Sequence, residues 1–166
     1  VVFGLKAAIL PLYFWLPRAY SAATAPVAAL FAIMTKVGVY SILRVYTLVF
    51  GTAAGPLEGL VHGWLWPLAL LTLVAGLIGA LAAQTLGMLV SYLVVVSVGT
   101  LTAGLALGTV EALSASLYYL LHSTLIAAGL FLLVDMIARQ RGDKHDALVQ
   151  GSKLMQPNLL GLLFFF

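Results

Sequence analysis

Cysteine is absent from the 166 residues, and charge is scarce: 8 lysines and arginines and 5 aspartates and glutamates make up 8% of the chain. Without cysteine the chain holds no disulfide, thiolate metal site, iron–sulfur cluster or thioether-linked haem. If it serves a redox complex, another subunit carries the electrons. The shortage of charge excludes more, because soluble domains carry roughly 25% charged residues. Hydrophobic residues reach 63% and the mean hydropathy is +1.14, so this is an integral membrane chain whose solvent is the lipid bilayer. The net charge of +3 comes from cations at segment ends and in one late loop. That pattern is a topology signal and not a nucleic-acid surface.

The chain opens without methionine inside an apolar run and stops in another that begins after Pro157. No charged n-region precedes a short h-region and cleavage site, so Val1 does not start a signal peptide. The expectation is a single membrane domain over 1–166, cut from a larger polytopic protein.

Breakers and apolar runs predict an all-α, polytopic transmembrane helix bundle of about five full spans plus the start of a sixth. The approximate spans are 1–20, 26–50, 64–83, 88–107, 111–138 and the truncated 157–166. Pro11 has no N–H for the carbonyl of Ala7, so a helix break is expected at the N-terminal end, one residue beyond Lys6. Pro26 is suited to open the second span. Gly51–Gly63, with Pro56 and Glu58, reads as a loop, and Trp64 and Trp66 as interfacial anchors. Gly104 and Gly108 predict a small-residue face for helix contact.

Loops at 18–25 and 139–156 contain Arg18, Arg139, Arg141, Lys144 and Lys153, whereas 51–63 and 108–111 contain only Glu58 and Glu111 as full charges. The first set is expected to be cytoplasmic. At ~1.5 Å per residue, Lys6 lies ~20 Å from the cytoplasmic end of its segment, Lys36 ~15 Å from Pro26 and His122 ~17 Å from Glu111. All three fall near mid-membrane.

A charged side chain at that depth costs roughly 2.5–3.5 kcal/mol on insertion scales, which makes an intramembrane lysine a functional candidate by default. A lateral proton path needs groups that hold and release a proton near neutral pH. Desolvation brings amines toward that range, and histidine starts there. Structural readings stand beside this one. Lys6 can bond carbonyls freed at the Pro11 break, Lys36 can pair with an acid elsewhere, and a lone histidine can simply bond a neighbouring helix. Ser91, Ser97, Thr100 and Thr102 can line a wet path or bond back to their own helix. Asp135 and Arg139 are spaced for a local ion pair.

Lys6-Ala7-Ala8 with Phe14-Trp15-Leu16-Pro17, then Thr35-Lys36-Val37-Gly38-Val39-Tyr40, then Tyr118-Tyr119-Leu120-Leu121-His122 carry a family likeness. The chain resembles the antiporter-like membrane subunits shared by multisubunit sodium/proton antiporters and respiratory complex I, and within them the D-type subunits of the cation/proton antiporters of the Mrp, Pha or Sha type. The likeness covers essentially the whole chain. It implies a fourteen-helix subunit of the cell inner (plasma) membrane, of which this is helices seven to eleven and the start of twelve. Lys6 then matches the lysine of a broken seventh helix, Lys36 the lysine of the eighth and His122 the histidine of a broken eleventh. Many relatives place a lysine one turn after the histidine, where this chain has Ile126 and Ala127. The implied partners are the other subunits of a hetero-oligomeric antiporter, the bilayer, protons and monovalent cations, with no cofactor, metal or nucleic acid.

Three readings follow. The first is a non-enzymatic secondary ion transporter subunit with a proton path through Lys6, Lys36 and His122 beside the Pro11 break. The second is an antiporter-like, proton-pumping subunit of an NADH:quinone oxidoreductase or membrane-bound hydrogenase. The third is a passive or haem-holding anchor, weakened because only His122 lies deep and a bis-histidine haem needs a facing partner.

Overall fold

The computed structural model describes residues 2–49, 62–142, 146–148 and 156–165. Among these the chain forms seven helices: α1 (Val2–Ala7), α2 (Trp15–Ala22), α3 (Ala25–Val49), α4 (His62–Leu81), α5 (Leu86–Leu107), α6 (Val110–Arg141) and α7 (Pro157–Phe165). The residues around Pro56 and Glu58, and Lys144, His145 and Lys153, lie outside the described residues. Four helices, α3 to α6, are long and apolar enough to cross a membrane. The chain is a fragment of a polytopic helical bundle.

The N-terminal segment is broken as the proline predicts. Helix α1 ends at Ala7, Ala8 takes a left-handed φ of 57°, and the Leu10–Pro11 bond is cis. Two backbone groups at the break take side-chain partners. The Leu10 N–H donates to Thr72 Oγ1 of α4 at 3.1 Å, and the indole Nε1 of Trp15 donates to the Leu5 carbonyl at 3.1 Å. The membrane supplies no water for this purpose, so such partners are what allow a break at membrane depth.

Helix α5 is the central element. It packs against α4, α6, α2 and α3, and its buried residues run from Gly87 to Ala106. One apolar cluster joins Leu16 and Tyr20 of α2, Ala28 and Ala32 of α3, Val90 and Val94 of α5 and Phe131 of α6. A second joins Ala7, Ile9, Val39, Val98 and Leu101 around the break. Gly104 packs close to Ser116 of α6, as a small-residue contact requires. Gly108 does something else: it caps α5 in the left-handed conformation at φ 67°, its N–H returning to the Leu105 carbonyl. It ends the helix and does not extend the contact face.

Helix α6 departs from the broken helix that the family likeness implied. It is continuous over 32 residues, about 48 Å at ~1.5 Å per residue. No proline interrupts it, and beside His122 the hydroxyls of Ser123 and Thr124 return to the Leu120 carbonyl at 3.4 and 2.6 Å. These hydroxyls bond back to the helix while its backbone ladder continues. At its far end Asp135 and Arg139 form the expected ion pair at 2.8 Å.

The α4–α5 turn meets the chain beyond α6 at one end of the bundle. Leu86 N donates to the Asp146 carbonyl and Leu148 N to the Gln84 carbonyl, both at 2.8 Å. Gly87 N donates to Asp146 Oδ2 at 3.0 Å, and the side chain of Arg141 holds the Ala147 carbonyl. The arginine-bearing end of α6 is thereby fixed beside the start of α5.

Candidate functional site

Lys36 occupies the middle of α3 and is 1% exposed. Its burial follows from the packing of α3, which lies against α1, α5 and α6 at once. Gly38 brings the first of these close: a Cβ there would stand 2.8 Å from the Ala7 nitrogen and 3.0 Å from the Lys6 carbonyl carbon. The broken end of α1 is therefore pressed onto the turn of α3 that carries Lys36. Any side chain at Gly38 would push backbone against backbone.

The Lys36 ammonium donates to Ser97 Oγ, a buried hydroxyl in the middle of α5. Ser97 Oγ in turn donates to the Val94 carbonyl at 2.7 Å. Lys36 forms no ion pair among the described residues, so no described carboxylate answers its charge. A buried amine held by a neutral hydroxyl has a partner for hydrogen bonding and none for its charge.

Ser97 also lines a cavity of about 210 Å³ between α5 and α6. His122, Tyr119 and Ser123 line the same space, and apolar residues including Val90, Val94, Ile126 and Ala127 complete it. The His122 ring is exposed on the described surface and stacks on Tyr118, ring centroids 6.3 Å apart. Lys36 is thus bonded to a residue of α5 that shares the cavity wall with His122, and Lys36 itself does not line that space. Ile126 and Ala127, one turn beyond His122, stand in the same wall.

Lys6 is not brought into this space. Its backbone abuts Gly38, two residues beyond Lys36, yet its side chain is exposed. The Leu5 carbonyl beside the break accepts from the Ala8 N–H and from the Trp15 indole, both at 3.1 Å. Pro11 marks the break as expected. The other hydroxyls of α5 bond back to their own helix: Ser91 to Gly87, Thr100 to Val96 and Thr102 to Val98. Tyr20 and Thr35 form a further buried pair, the tyrosine hydroxyl also donating to the Phe31 carbonyl.

Residues 1–166 match the model of one family, described as NADH:quinone oxidoreductase/Mrp antiporter, TM. The chain belongs to this family. Among relatives of the Mrp antiporter family, the chain is 49% identical over 148 residues to the probable K(+)/H(+) antiporter D subunit of Rhizobium meliloti (strain 1021). That match covers 89% of this chain and 28% of the relative. Identity to the Na(+)/H(+) antiporter D subunit of Bacillus subtilis (strain 168) is 39% over 168 residues, covering 99% of this chain and 33% of the relative. Among solved structures, a chain of the Mrp complex from Dietzia sp. DQ12-45-1b superposes with a TM-score of 0.81 at 26% identity, over 98% of this chain and 30% of that one. A chain of an archaeal membrane-bound sulfane sulfur reductase superposes at 0.85 with 23% identity, over 98% of this chain and 33% of that one, and shows the shared fold. The chain therefore spans about a third of the length of these Mrp-family relatives.

Proposed function

We propose that the chain is part of a proton-translocating subunit of a multisubunit monovalent cation/proton antiporter in the cell inner (plasma) membrane. In this reading it is a transporter component and not an enzyme. Its partners are the other subunits of a hetero-oligomeric complex and the bilayer around it. Protons travel laterally at mid-membrane depth, with Lys36 and His122 in one path and Lys6 feeding it from the α1 side.

The observation that carries the reading is the Lys36 site: a buried amine without a described carboxylate, bonded to a hydroxyl that lines the cavity holding His122. The antiporter reading is preferred to a quinone-linked pump because the relatives at 49% and 39% identity carry antiporter names.

His122 gives the first test. In the full-length subunit within its assembled complex, His122→Ala is expected to slow cation-dependent proton exchange about tenfold or more, below the usual ~10²–10⁴-fold for losing a positioned proton-transfer group because water can partly replace it. Assembled complex is measured by affinity pull-down, and exchange by a pH-sensitive dye in everted vesicles. Undiminished exchange at normal assembly would remove His122 from the path.

A further inference from the structure

Among the described residues, Ser97 is the link between Lys36 and the α5–α6 cavity. The hydroxyl hydrogen of Ser97 is committed to the Val94 carbonyl at 2.7 Å, so its oxygen is left as an acceptor with a fixed direction. That acceptor receives the Lys36 ammonium. The same side chain forms part of the wall of the cavity lined by His122. Ser91, Thr100 and Thr102 make the same bond back to the helix, but only Ser97 among them also binds a lysine and borders this space.

We propose that Ser97 is a positioning residue for proton transfer: it holds the Lys36 amine against the wall of the α5–α6 cavity, whose lining also includes His122. The inference rests on the relay reading above and adds a residue to it from a third helix. No bond beyond N–H and O–H is made or broken. The proton passes from Lys36 Nζ through water admitted beside Ser97 at the cavity wall and on to a His122 ring nitrogen, while the Ser97 hydroxyl keeps its own proton directed at the Val94 carbonyl. About 210 Å³ is room for several waters at ~30 Å³ each, and the mostly apolar lining has Ser97, Tyr119, His122 and Ser123 as its polar side chains.

Two substitutions separate positioning from packing. Ser97→Ala removes the acceptor and leaves a side chain small enough to keep the α3–α5 contact. Ser97→Thr restores the hydroxyl, and its added methyl has the cavity to enter. In the assembled complex, Ser97→Ala is expected to lower exchange about tenfold at normal assembly, with Ser97→Thr recovering most of it. Lys36→Ala is run in parallel. If Lys36→Ala abolishes exchange but Ser97→Ala leaves it at wild-type rate, the positioning role is overturned and the relay reading stands. If Ser97→Ala and Ser97→Thr both lose assembled complex, or both lose exchange equally, the hydroxyl is not what matters and the proposal fails. Normal exchange in Lys36→Ala would overturn the relay reading itself, and this inference with it.

Discussion

Lys36→Arg is expected to lose cation-dependent proton exchange by at least about a hundredfold, within the ~10²–10⁴ range for positioned proton-transfer groups. Arginine keeps the positive charge but does not release a proton in a protein. If Lys36 served as a fixed charge or a helix anchor, the substitution would be mild. If it hands protons on, the substitution should be as severe as Lys36→Ala. The site is 1% exposed, so the larger guanidinium also tests the packing, and the comparison has to be made at matched amounts of assembled complex. Lys36→Ala serves as the second variant because it removes bulk instead of adding it. Loss of exchange in both, with assembly retained in either, supports the carrier role. Wild-type exchange in Lys36→Arg would contradict it.

Lys6→Ala is expected to bring exchange to the background of vesicles lacking the complex, with no loss of assembly. Two observations make the second half of that statement firm. The side chain is exposed on the described surface, and the break beside it is held by Trp15 and Thr72. Removing the ammonium therefore leaves the described contacts that hold the break in place. The first half rests on the proposed path, in which Lys6 lies on α1, pressed by Gly38 against the turn that carries Lys36. A structural lysine predicts the opposite pattern, with complex lost and residual exchange in proportion to what assembles. The two are separated by pull-down and dye measurements on the same vesicles.

How much of this was legible in the sequence depends on how far each signal reaches along the chain. The broken N-terminal helix was legible because Pro11 acts on its own neighbourhood, through the N–H it lacks. Lys36 was legible because a charge inside an apolar run stands out without any knowledge of packing. The groups that satisfy the break were not. Thr72 lies 62 residues from Leu10, and a threonine that bonds back to Leu68 looks like any other in a membrane helix. Ser97 was hidden for the same reason: Ser91, Thr100 and Thr102 share its local chemistry, and only the approach of α3 sets it apart. Gly108 was ambiguous, since glycine serves equally as a contact residue and as a helix cap. The expected break beside His122 came from family likeness and not from a local breaker, and α6 runs through it.

The central claim is that Lys36 and His122 belong to one path, and a double-mutant comparison tests it most directly. Initial exchange rates are measured in everted vesicles for Lys36→Ala, His122→Ala and the double variant at matched assembly. Groups that act as a unit are strongly non-additive, so the double variant is expected to be no slower than the slower single one. Losses that multiply in the double variant would show two independent sites and contradict the shared path.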